Sequence, residues 1–200
     1  MSTYVSGYDE SHYSTQYYLN NAGNDTKVGQ SFLWVGNGMR LSYSSFWLWK
    51  QYSPTGPITS KLYAHTGSYG TTGVPTGSPL ATSTNSIDAS TLSSSTVNWF
   101  NFTFDKTFAP TEGTPYVITC EYNSGYHVKV CAGGNPWDGH GGNISRYSGS
   151  WGANALDLMF TVYSDPPPTY IKTIYGLARG SVKTVKGLPI ASMKTHSGLS

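Results

Sequence analysis

Between Cys131 and Trp151 the chain reads CAGGNPWDGHGGNISRYSGSW, which places Trp137, Asp138, His140, Asn143, Arg146, Tyr147 and Trp151 in one glycine-rich stretch. Aromatic rings beside an amide, a carboxylate and a guanidinium are the groups that sugar recognition uses. Rings cover the apolar face of a pyranose, and its hydroxyls take directed hydrogen bonds. Loops on a rigid scaffold are where binding residues concentrate. The alternative is a packed turn in which Trp137 and Trp151 cover the end of a core. A second candidate lies in LSYSSFWLWK, residues 41–50. Alternation puts Phe46 and Leu48 on one face and Tyr43, Ser45, Trp47 and Trp49 on the other. Trp47 and Trp49 then project together, about 7 Å apart along the strand. They form a flat platform for sugar rings or pack beneath a loop or a neighbouring subunit, and packing is the stronger of the two because aromatics dominate interfaces as well.

Other chemistry finds little support. Asp138, His140 and Asn143 suggest a cation, but calcium takes six to eight oxygens, usually from several acids, and this loop offers one carboxylate. No metal and no cofactor are expected. His12, His65, His127 and His196 are isolated in the sequence. No nucleophile-elbow pattern is present and no two acids suggest a glycosidase pair, so the chain is not expected to be an enzyme.

The elements that must position these residues are strands. Only 11% of the residues are charged, while tyrosine reaches 16 and tryptophan 6, a composition that favours sheets over helices. Residues 1–26 are polar and tyrosine-rich without clear periodicity, and are expected to form an N-terminal arm. Strands are predicted over 28–35, 41–50, 58–65, 80–84, 97–104, 115–122, 126–131 and 156–163, with a long surface loop over 66–79. Eight to ten short strands at regular spacing predict an all-β fold, an antiparallel β-sandwich or jelly roll over 27–164. Ser124-Gly125 reads as a hairpin turn, which would pair Cys120 with Lys129. The thiols of Cys120 and Cys131 would then lie diagonally, about 7–8 Å apart by Cα, too far for a disulfide. Free thiols are expected.

Asp165 and the prolines 166–168 mark a stiff linker, residues 165–170, into a repetitive tail. Residues 171–200 repeat every eleven: Ile171, Val182 and Met193, then Lys172-Thr173, Lys183-Thr184 and Lys194-Thr195, then Gly176-Leu177, Gly187-Leu188 and Gly198-Leu199. An eleven-residue period also suits a right-handed helical supercoil. Here a glycine in each unit and Pro189 oppose helix, and the β-branched residues favour extended chain. Each unit is therefore predicted to be a strand of about five residues, a Gly-Leu turn and a link. Thirty such residues bury too little apolar surface to stand alone, which points to an anchoring tail that pairs with a partner. The tail carries five basic residues and no acid, against seven basic and ten acidic residues before it. Its lysines are spaced by the repeat and lack interleaved aromatics, so nucleic acid is not the expected partner. No apolar run is long enough for a membrane span, and the N-terminus shows no secretory signal pattern.

The succession GQSF, then LSYSSFWL and KLYAHTGSYG, then RYSGSW and DLMFTVY, resembles β-sandwich domains of phage virion proteins and bacterial surface proteins, including the choice-of-anchor domains. The KTxxGL repeats resemble the ends of such proteins. The resemblance implies fold and setting, and carries no catalytic residue. It implies a non-enzymatic virion structural protein of the capsid-decoration, head-fibre or tail-attachment type, anchored to capsid or tail proteins through residues 171–200. A homo-oligomer, by analogy a trimer, fits that setting, with the protein made in the host cytoplasm and displayed on the virion surface. The alternative is a carbohydrate-binding adhesion module, extracellular or on a phage or bacterial surface.

Overall fold

In the computed structural model, residues 2–9, 11, 13–19, 25–124, 127–133, 140–154 and 156–167 are described, with four short strands of the tail. The strands are β1 (Thr3–Tyr8), β2 (Tyr13–Leu19), β3 (Lys27–Leu33), β4 (Arg40–Lys50), β5 (Pro57–Thr66), β6 (Val74–Thr82), β7 (Ile87–Asp88), β8 (Asn98–Thr103), β9 (Pro115–Tyr122), β10 (Val128–Gly133), β11 (Ile144–Tyr147), β12 (Trp151–Asn154), β13 (Asp157–Leu158) and β14 (Phe160–Asp165). They form two antiparallel seven-stranded sheets. Sheet A holds β1, β2, β4, β8, β10, β13 and β14, and sheet B runs β12-β11-β3-β9-β5-β6 with β7 beside β5. The expected β-sandwich is what forms.

Alternation sets the packing. On β4, Ser44, Phe46 and Leu48 are fully buried while Tyr43, Trp47 and Trp49 are half-buried. Phe46 meets Phe102 edge-on at 6.1 Å, and Phe32 of sheet B meets Phe160 of sheet A at 6.2 Å. Each such ring contributes about 1.5–3 kcal/mol by leaving water. Ser44 and Ser60 hydrogen-bond across the gap between the sheets at 2.9 Å, which satisfies two hydroxyls that would otherwise be costly to bury.

Three expectations are corrected. The first 26 residues supply two strands: β1 pairs with β14 and β2 with β10. Among the residues of these strands whose burial is described, Val5, Tyr8 and Leu19 alone are buried, so no apolar alternation announces them. Within the stretch expected as loop 66–79, Val74 begins β6, whose Pro75, Gly77 and Pro79 are tolerated because it is an edge strand. The Cys120–Lys129 hairpin does not form. β9 is already paired on both sides, with β3 and β5, so the chain crosses over and β10 joins sheet A. Cys120 is a buried free thiol whose pKa burial pushes well up.

Pro167–Ser200 is a separate compact unit. Its described strands are β15 (Thr173–Ile174), β16 (Leu177–Ala178), β17 (Thr184–Val185) and β18 (Leu188–Pro189). Thr173 pairs with Ala178 and Ile174 with Leu177, and eleven residues later Thr184 pairs with Pro189 and Val185 with Leu188. The strands are thus two residues long, not five, and the leucines lie in the return strands. Ile171, Lys172, Gly176, Val182, Lys183, Gly187, Met193, Lys194, Thr195, Gly198 and Leu199 lie outside the described residues.

Candidate functional site

The outer face of sheet A gathers aromatic side chains because Tyr43, Trp47 and Trp49 of β4 alternate with the core-facing Ser44, Phe46 and Leu48. Trp47 and Trp49 share that face as alternation predicts, but each ring already has company. Trp47 stacks on Trp99 of β8 at 6.4 Å and 27°. Trp49 covers the ammonium of Lys129 at 4.1 Å, and Tyr18 covers it at 4.9 Å, a cation–π arrangement that offsets burial of the lysine. Tyr43 stacks on Tyr163 of β14 at 4.5 Å and 11°.

Between these aromatic rows lies a polar one. Ser45 is paired with Asn101 on β8 and with Thr161 on β14. The tyrosine row sits two residues away on one side and the tryptophan row two residues away on the other. The aromatic rows are therefore about 13 Å apart along the strands. A cleft of about 280 Å³ opens here, lined by Tyr43, Tyr163, Trp99, Ser45, Asn101 and Thr161 together with Asp9 at the end of β1. Asp9 Oδ1 accepts hydrogen bonds from the amide and hydroxyl of Ser11 at 3.0 and 2.5 Å. Alternation in VNWFNFTF, with Phe102 and Phe104 inward, was the signal that could have found Trp99 and Asn101. Thr161 and Tyr163 required knowledge of which strands neighbour β4.

On the far face of sheet B, Tyr147 and Trp151 do come together. Their rings meet at 5.2 Å, Trp151 meets Tyr63 at 6.4 Å, and the Lys27 ammonium sits 4.7 Å from the Tyr147 ring. Glu121 organises this patch. Lys61 Nζ donates to its Oε2 at 2.7 Å, with Lys27 Nζ at 3.8 Å. The Tyr63 hydroxyl and Thr119 Oγ1 donate to Oε1 at 2.8 and 3.1 Å. Burial first, and then the hydrogen bond to Glu121, raises the Tyr63 pKa well above its ordinary value. Both carboxylate oxygens are spoken for within the protein. Arg146 is exposed, 3.2 Å from Asp25 and with its guanidinium 5.4 Å from the Tyr17 ring.

His140 and Asn143 are interior. The Asn143 amide donates to Gly73 O at 2.9 Å and Ile144 O at 3.0 Å, and its Oδ1 accepts from Ser31 Oγ at 3.0 Å. His140 lies between Ser6 and Asp157, with Nε2 2.9 Å from Ser6 Oγ and Nδ1 3.3 Å from Asp157 Oδ1. That atom order matches a hydrolytic Ser-His-Asp relay. Here, however, the imidazole and carboxylate are 5% and 4% exposed, Phe160 closes on the ring at 4.9 Å, and Gln30 Nε2 also donates to Asp157. Gln30 belongs to sheet B and Ser6 and Asp157 to sheet A, so the cluster ties the two sheets at one edge. Trp137 and Asp138 lie outside the described residues.

A second depression, about 450 Å³, is lined by Ala64, Leu80, Phe108, Pro115, Tyr116 and His65, among others. It is mainly apolar, and burial lowers the His65 pKa. Among the described residues no group of three or more His, Cys, Asp or Glu is placed to hold a metal, and no helix is long and apolar enough to cross a membrane. Compared with known proteins, the chain matches no family model, no curated protein and no solved structure.

Proposed function

We propose that this chain is a non-enzymatic adhesion module whose β-sandwich binds carbohydrate through side chains on its sheet faces. The observation that carries this is the outer face of sheet A, where stacked Tyr43–Tyr163 and Trp47–Trp99 pairs flank a row of hydroxyl and amide side chains. Amphipathic pyranose rings match aromatic surface beside directed hydrogen-bonding groups. A glycan array probed with the intact protein tests the function, and a folded chain that binds no glycan refutes it.

A second reading concerns attachment. The tail is its own compact unit, and its first two eleven-residue repeats each carry a pair of short antiparallel strands. We propose that residues 171–200 dock the chain onto a larger assembly, a phage capsid or tail in the setting the sequence suggests, with the sandwich displayed outward and copies associating as homo-oligomers. Co-sedimentation of the full chain with particles, compared with a chain lacking 169–200, tests it. Equal association of both forms refutes the anchoring role.

A further inference from the structure

Buried polar atoms in a folded protein are nearly all hydrogen-bonded, so several left unpaired on one patch call for a partner. Such a patch lies where β2, β10 and β4 adjoin on the outer face of sheet A. Lys129 of β10 is in register with Trp49 on one side and Tyr18 on the other, and their rings lie 4.1 and 4.9 Å from its ammonium. The residue is 6% exposed. Among the described residues, no carboxylate pairs with it and no oxygen accepts its N–H groups. Beside it, Trp49 Nε1, His127 Nδ1 and Gln16 Oε1 are buried without a hydrogen-bond partner. Gln16 Nε2 donates to the Tyr18 hydroxyl at 3.1 Å, and the His127 ring meets the Tyr18 ring edge-on at 5.8 Å. Ring faces offset part of the cost of burying an ammonium, but they supply neither a counter-charge nor a hydrogen-bond acceptor. An anion supplies both.

We infer that Lys129, held between Trp49 and Tyr18, is a subsite for the carboxylate of an acidic sugar, a uronate or a sialic acid, so that the protein prefers acidic glycans. This rests on the carbohydrate-binding function proposed above and names its ligand class. The narrow exposure of Lys129 suits one small group and not a whole ring, and a carboxylate is the smallest of the anionic groups that sugars carry. Its sugar ring has aromatic surface close by. Trp47, stacked on Trp99, lies two residues from Trp49 on the same face, about 7 Å along the strand. Lys129 is already out of water and its stem is packed, so pairing adds the desolvation and ordering of the ligand alone. The bonds formed are charge-assisted, the stronger kind.

The test is a glycan array probed with the full chain, carrying carboxylated glycans, their methyl esters and sulfated glycans, followed by calorimetric titration of the tightest carboxylated glycan and its ester. Lys129→Met keeps an unbranched apolar stem and removes the charge. Thermal melts verify that it folds, and the comparison of acid with ester on the unaltered chain needs no variant. The expected result is an acid bound at least tenfold tighter than its ester, about 1.4 kcal/mol, with that ratio falling to about one in Lys129→Met while the ester binds as before. A lysine that serves packing alone would alter acid and ester alike. Equal affinity for acid and ester overturns the subsite and leaves the carbohydrate function standing. A preference that persists in Lys129→Met places the anion elsewhere, and tighter binding of sulfated glycans refutes the carboxylate assignment. No binding to any glycan removes both the function and the subsite.

Discussion

Glu121→Ala should destabilise the sandwich without changing its affinity for sugar. The residue is 8% exposed and is held by Lys61, Tyr63, Thr119 and, more distantly, Lys27. Removing it does not strand all four partners. The Lys27 and Lys61 side chains are 29% and 26% exposed and rehydrate, so their contribution is about 1 kcal/mol or less. Thr119 Oγ1 keeps its bond to Lys61 O at 3.1 Å. The Tyr63 hydroxyl is the buried group that loses its partner, which costs about 1–3 kcal/mol. The net expectation is about 2–3 kcal/mol, or a fall in Tm of about 4–12 °C for a domain of this size. Urea and thermal unfolding followed by tryptophan fluorescence measure it, with Lys61→Ala as the comparison, expected within about 1 kcal/mol of wild type. A Glu121→Ala chain as stable as wild type, or a Lys61→Ala chain just as damaged, would show that the network is not organised around the carboxylate. Loss of sugar binding in Glu121→Ala would move the site to sheet B.

Three further outcomes follow from the same geometry. A serine-directed fluorophosphonate should leave Ser6 unlabelled, while His140→Ala lowers stability by about 1–3 kcal/mol because Ser6 and Asp157 each lose a buried partner; labelling that depends on His140 would reveal a working relay. Asp165 meets opposing influences: burial raises its pKa, but hydrogen bonds from Lys106, Ser2 and Ser42 and the Lys106 charge outweigh it and hold the value at about 2. A depressed carboxylate stabilises the fold above its unfolded pKa, near 4, and that stability is lost as pH falls from about 4 to 2. The wild-type advantage over Asp165→Asn, about 1–2 kcal/mol at neutral pH after screening, should vanish across that window in acid unfolding; an advantage that persists at pH 2 contradicts the assignment. Removing residues 169–200 should leave the melting transition of the sandwich unchanged, since residues 1–166 form their own compact unit, and a lowered transition would show that the tail supports it.

Much of the core was legible because it obeys the two-residue period. Phe46 and Leu48 on β4, and Leu158, Phe160 and Val162 near the end of the domain, are all fully buried, and apolar alternation alone points to them. β1 and β2 were not legible, because an edge segment that buries few residues leaves no periodic trace. The crossing after Tyr122 was hidden for another reason: a hairpin signal is local, whereas the occupation of both edges of β9 is a property of the whole sheet. The candidate site divides along the same line. Trp47 lies where alternation placed it, but its neighbours Trp99, Asn101, Thr161 and Tyr163 come from strands 50 or more residues away in sequence. His140 and Asn143 mislead because sequence does not distinguish a polar side chain satisfied inside a sandwich from one offered to a ligand. Register decides that, and register is set by pairing across the sheet.

The most direct test of the carbohydrate site is the indole N–H spectrum of the full chain, with the six tryptophan signals assigned by substitution, recorded with and without the tightest-binding glycan. The Trp99 signal should shift on saturation, with a smaller shift for its stacking partner Trp47, while Trp151 and the fully buried Trp34 stay in place. A shift at Trp151 with Trp99 unmoved would place recognition on sheet B, and a spectrum unchanged by every glycan would contradict the account as a whole.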